Sequence, residues 1–193
     1  MEKNRLEAFS DGVLAIVITI MVLEMKVPHG NDFASIKPLV PVFLSYVLSF
    51  IYVGIYWINH HHMLQTVEKV NGSILWANLH LLFWLSLFPF VSGWVGENHF
   101  TAIPSALYGL VLLMAAFAYA ILQHTIIVSQ GENSLLAKVV GRDIKGKLTS
   151  FLYVVGIVAA FFWPIISGLI YAVVACIWLV PDKRIERLKS RSF

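Results

Sequence analysis

One cysteine in 193 residues, Cys176, leaves no intrachain disulfide framework to consider, and its apolar run reads as the setting of a small buried hydrophobe. Charge is scarce as well, at 13% of the chain against 59% hydrophobic residues, and the mean hydropathy is +0.78. So few charges cannot make a water-facing surface without Leu, Ile, Val and Phe, which excludes a soluble globular domain. Catalytic signatures are missing too. Ser92-Gly93 and Ser167-Gly168 lack the Gly-x-Ser-x-Gly frame, there is no His-Glu-x-x-His, and no glycine-rich phosphate loop occurs. No internal repeat or low-complexity linker is visible, and the segments outside the apolar runs (28–37, 129–147 and 181–193) are too short for a second domain. The reading is one all-α integral membrane domain over 1–193, and not an enzyme.

What is present is a series of apolar runs. A membrane helix needs roughly 20 such residues, and six candidate spans appear at 8–27, 39–59, 74–95, 103–128, 148–162 and 165–180. The last two nearly abut at Trp163-Pro164; proline disfavours helical geometry in the residue before it, so they read as a tight hairpin. The opening stretch 1–23 has the charged start and apolar run of a signal peptide, but Glu24-Met25-Lys26-Val27 offers no small-residue cleavage site, and it is kept as a first helix.

Basic residues orient the spans. With six crossings, both termini and the second and fourth loops share one side and hold 12 of the 14 Lys and Arg residues, leaving only Lys26 and Lys37 opposite. Both termini are therefore expected in the cytoplasm of a multi-pass membrane protein. Trp76 and Trp178 then fall near the inner boundary and Trp94 and Trp163 near the outer one, as interfacial indoles should. The net charge of +3 and pI near 9.0 record this orientation and not a nucleic-acid partner. The basic tail 181–193 reads as a topology anchor beside anionic lipid headgroups.

This topology gathers polar residues at one depth. The first helix leaves the cytoplasm at Arg5, Phe9, Ser10 and Asp11; the second arrives there at Asn59, His60, His61 and His62; the third starts there with Asn78 and His80. In hydrocarbon such groups persist by satisfying one another, so the cluster reads as interhelical glue or, more sharply, as a proton relay or ion-entry site. Consecutive helical residues point about 100° apart, so His60-His61-His62 cannot converge on one metal ion. A metal or haem site would have to recruit His80 or His124, and nothing in the spacing specifies one. No cofactor is implied.

Ile16, Ile20 and Leu23, at spacings of four and three with Thr19 beside Ile20, form a stripe along the first helix. The bland reading is a packed or lipid-facing surface. Around a symmetry axis the same stripe becomes an apolar constriction able to gate by dewetting.

The frame Arg5-x-x-x-Phe9-Ser10-Asp11, the second-span ending Tyr56-Trp57-Ile58-Asn59-His60-His61, and the Asn78 and Pro89 positions resemble the transmembrane protein 175 family of potassium-permeable channels. The resemblance implies a homotetramer in a prokaryotic cytoplasmic membrane, surrounded by lipid and passing K+ through a pore lined by the first helix. It further implies that Ile16 is the cytoplasmic-side hydrophobic gate, that Ile20 and Leu23 are constrictions above it, and that Thr19 contributes to potassium preference. Arg5, Phe9, Ser10 and Asp11 become a structural network, joined on grounds of depth by Asn59, His60, His61 and Asn78. A pore of this kind agrees with the lack of a Thr-Val-Gly-Tyr-Gly filter and of an Arg-rich voltage-sensing helix. Two rivals stand beside it: a proton-coupled transporter using Asp11 and the histidines, and a haem- or metal-binding membrane subunit.

Overall fold

The computed structural model describes residues 2–131, 134–140 and 143–179; the basic tail 181–193 and Arg142 lie outside them. Within these residues every regular element is helical: α1 (Lys3–Leu23), α2 (Phe33–Ile36) running through a 3-10 turn (Lys37–Leu39) into α3 (Val40–Gln65), α4 (Gly72–Ser86), α5 (Phe88–Glu97), α6 (Ala102–Gln130), α7 (Leu135–Val140), α8 (Ile144–Ala160) and α9 (Pro164–Leu179).

Four stretches are long and apolar enough to cross a membrane: Lys3–Leu23, Phe33–Gln65, Gly72–Glu97 and Ala102–Gln130. α8 and α9, with 17 and 16 residues, fall below the usual length. Trp163 N donates to Ala159 O at 2.7 Å and Pro164 opens α9, so the chain reverses within three residues. Pro89 breaks the third stretch: it has no N–H to continue the α4 ladder and sits in the first turn of α5. Helix α3 runs six residues past its expected end at 59, so His60, His61 and His62 are helical.

α1 packs against α3, α4 and α5, while α6 holds α4, α5, α8 and α9 together. The interior is rich in phenols. Tyr52, Tyr108, Tyr153 and Tyr171 are buried around Phe88. Burying a hydroxyl is costly unless it is bonded; Tyr52 donates to Tyr171 O at 2.6 Å, Tyr171 to Ser105 O at 3.2 Å, and Tyr108 shares a proton with Ser49 at 3.0 Å. The Tyr171 ring fills the space that Gly109 and Gly156 leave by lacking a side chain. Cys176, expected to be buried, is instead exposed on α9. In a chain whose outer faces are also apolar, an apolar run does not separate core from surface.

Helix α5 ends with His99 N on Gly96 O (3.2 Å) and Phe100 N on Val95 O (3.0 Å), the paired bonds of a Schellman cap. His99 and Phe100 take positive φ of 51° and 56° to make it. Nearby, Lys26 Nζ donates to Glu97 Oε1 at 2.7 Å and links the segment after α1 to the end of α5. That bond and the Glu97 charge hold the Lys26 ammonium above the usual lysine range.

Candidate functional site

Helix α1 has two distinct faces. Leu6, Ser10, Leu14, Val17 and Met21, spaced by four or three, are buried against the other helices. The opposite side is free in the protomer: Phe9 is 53% exposed, Ile16 59%, Ile20 40% and Leu23 75%. Thr19 is exposed among them, and its hydroxyl donates to Ala15 O at 2.8 Å. The donor is thus used inside the helix, and the oxygen keeps the capacity to accept. Val22 is also exposed, at 42%, whereas Val17 is 3% exposed.

At the α1 end that begins with Lys3, the buried face carries a chain of hydrogen bonds across three helices. Ser10, fully buried, gives its proton to Leu6 O at 2.8 Å, so its oxygen can only accept from Asn78 Nδ2 at 3.0 Å. Asn78 therefore turns its carbonyl oxygen to His60, 2.7 Å from Nε2, and that ring nitrogen must be the one carrying a proton. The order of donation is His60 to Asn78 to Ser10 to the α1 backbone. All three side chains are buried, a setting in which a satisfied chain rigidifies and a broken one is costly.

The other residues expected at this depth are placed differently. Asp11, half-buried, accepts at 2.9 Å from the Trp57 indole N–H and from no histidine. Asn59 turns its side-chain amide back to Ile55 O at 2.8 Å, while its backbone carbonyl accepts from the Tyr119 hydroxyl at 3.4 Å. His61 meets Gln65 at 2.7 Å and lies beside the Trp57 ring. Arg5 and Phe9 are exposed, and the protomer brings neither into the buried chain. Lys3 ties α1 to α3 instead, donating to Gln65 O at 3.0 Å. His80 Nε2 accepts from Trp84 at 3.0 Å, and His124 is exposed on α6.

Trp57 is the residue that reading by depth passed over as a partner. The signal was available, since positions 57 and 60 lie on one helical face, opposite the consecutive pair Ser10-Asp11.

The arrangement has recognisable relatives. The family model described as the endosomal/lysosomal potassium channel TMEM175 matches residues 5–89, which include every residue discussed on α1, α3 and α4 except Lys3. A protein from Chryseobacterium named a potassium channel is 59% identical over 187 residues, 97% of each chain. Another from Streptomyces collinus with that description is 33% identical over 126 residues, 61% of each. The crystal structure of a lysosomal potassium-selective channel TMEM175 homolog from Chamaesiphon minutus superposes with a TM-score of 0.81, at 26% identity, over 94% of this chain and 98% of that one.

Proposed function

The chain belongs to the TMEM175 family, and from that premise we propose that it is a potassium channel whose pore is lined by α1. The observation that supports this reading is the division of α1 into a buried face held by Ser10 and an exposed apolar face bearing Ile16, Ile20 and Leu23. An exposed stripe on a helix packed along only one side calls for a partner. Here the partner is proposed to be the same stripe on three further copies around a fourfold axis.

In such a tetramer Ile16 is the gate on the cytoplasmic side and Ile20 and Leu23 are constrictions beyond it. Branched aliphatic rings give a cation no ligands and exclude water when closely spaced. Thr19, with its proton committed to Ala15 O, offers oxygen lone pairs alone and so suits partial replacement of a K+ hydration shell. Six crossings, with α8 and α9 as the last two, keep both termini in the cytoplasm and accommodate the bias in basic residues. Ser10, Asn78 and His60 hold α1 in rotational register, with the pore face turned away from the protomer core.

Bi-ionic reversal potentials of purified protein in liposomes test this function. Passive current with K+ favoured over Na+ is expected. Saturating flux that requires a pH gradient would instead identify a proton-coupled transporter, and a Soret band in the purified protein would identify a haem subunit.

A further inference from the structure

The polar ties of α1 lie at one end. Lys3 Nζ donates to Gln65 O at 3.0 Å, Ser10 Oγ accepts from Asn78 at 3.0 Å and Asp11 accepts from Trp57 at 2.9 Å, so the stretch from Lys3 to Asp11 is bonded to α3 and α4. From Gly12 to Leu23 the only polar side chain is Thr19, and its proton goes to Ala15 O within the same helix. This half packs through Leu14, Val17 and Met21, buried apolar contacts with no preferred direction. Met21 also adapts its shape readily. Beyond the helix, Lys26 meets Glu97 at 2.7 Å with side chains 81% and 52% exposed, a setting in which an ion pair holds only weakly.

Between the two halves the helix is at its weakest. Ser10 turns its hydroxyl onto Leu6 O, four residues back, an arrangement that loosens and often bends a helix. Two residues later comes Gly12, the one glycine of α1. A Cβ there would meet nothing within 4 Å, so packing within the protomer does not require glycine, and glycine weakens a helix interior relative to alanine.

We propose that α1 is hinged at Gly12: the cytoplasmic stretch stays bonded to α3 and α4 while the stretch from Val13 to Leu23 tilts against it. This inference rests on the pore lined by α1 proposed above. Ile16 lies four residues from the hinge, about 6 Å along the axis, and Leu23 eleven, about 16 Å. A tilt of about 10° therefore moves Leu23 by about 3 Å and Ile16 by about 1 Å. The outer constriction changes width while the inner one stays nearly fixed. The Lys26–Glu97 pair, at the end of the long arm, is the strap that resists the tilt, since α5 is itself held by α3 and α6.

Electron paramagnetic resonance on the full chain, with Cys176→Ser removing the native thiol, tests the hinge without relying on current. Nitroxides are attached at Glu24→Cys and Asn98→Cys, or as a control at Asn4→Cys and Lys69→Cys, all exposed positions, and labelled chains are diluted with unlabelled ones. The outer pair is expected to give a broad distance distribution that Gly12→Ala narrows and Glu97→Gln widens. The control pair should give a narrow one that neither change alters. A narrow outer distribution in the wild type, or equal breadth at both pairs, would overturn the proposal. In conducting protein Gly12→Ala should lengthen open and closed dwell times about two- to fivefold, the factor by which the two residues differ in helix propensity, with full assembly. Unchanged dwell times would overturn the hinge, as would lost assembly, the mark of a glycine that lets copies approach closely. Absence of K+ current from the wild type would instead remove the pore reading and leave the distance measurement to decide the hinge.

Discussion

His60 and Asn78 are joined by a 2.7 Å bond whose direction is set two residues away: Ser10 has already given its proton to Leu6 O, so Asn78 must donate to Ser10 and accept from His60. The chain therefore needs an N–H at the position of Nε2. His60→Gln, which places an amide nitrogen near that position, is expected to retain most of the stability. His60→Ala and Asn78→Ala should each lose about 1–3 kcal/mol, the cost of leaving a buried group unpaired. Thermal unfolding in detergent checks the order; Gln and Ala equally destabilising would remove the directional role.

Asp11 rests on the Trp57 indole. Trp57→Phe keeps a ring and removes the donor, while Asp11→Ala strands the donor. Both are expected to reduce assembly or open-channel current while leaving the K+/Na+ reversal potential near the wild-type value, because neither changes Thr19. Reversal potentials that shift with unchanged current amplitude would place Asp11 in the permeation path.

Arg5→Ala separates an effect within the protomer from one between copies. The Arg5 side chain is exposed in the protomer, so its loss is expected to leave the buried His60–Asn78–Ser10 chain intact and to weaken association of copies. Size-exclusion chromatography with light scattering, read beside the thermal midpoint, distinguishes the two. A lowered midpoint with full assembly would return Arg5 to the protomer's own network.

Shortening Ile16 or Leu23 to Ala should raise leak through the closed channel, and Thr19→Val should reduce potassium preference with less effect on assembly. Cysteines placed at 16, 19, 20 and 23 are expected to react with a small water-soluble thiol reagent in conducting protein, with Val17→Cys as the protected control. Reaction at position 17 and none at the other four would turn the pore face elsewhere. Val22, itself exposed, cannot serve as a control.

Current should survive exhaustive chelation. His60 is committed to Asn78, His61 to Gln65 and His80 to Trp84, each through Nε2, so a metal at these rings would have to displace a bond or use Nδ1. Loss of current on chelation, restored by added zinc, would contradict this.

Depth was legible in the sequence and rotation was not. Antiparallel neighbours of known length must bring Ser10, His60 and Asn78 to one level, whichever way each helix is turned. Which histidine meets Asn78, or that Trp57 and no histidine meets Asp11, depends on the rotation of α3 about its axis, where one residue is about 100°. Apolar periodicity normally reports that rotation. It fails here because the exposed faces, bearing Phe43, Phe83 and Phe151, are as apolar as the buried ones. Helix ends were blurred for a similar reason: the α3 ladder continues through the histidines to Gln65, past the point where hydropathy falls.

The glycine socket around Tyr171 has a consequence for how this chain can vary in length. The ring lies against Gly109 on α6 and Gly156 on α8, where any side chain would collide with it. One residue inserted between Pro164 and Tyr171 would swing the phenol about 100° out of the socket and carry it along the axis. A one-residue deletion would do the reverse. Length changes should therefore not be tolerated within the first half of α9, whose spacing from the Pro164 turn to Tyr171 behaves as a fixed measure.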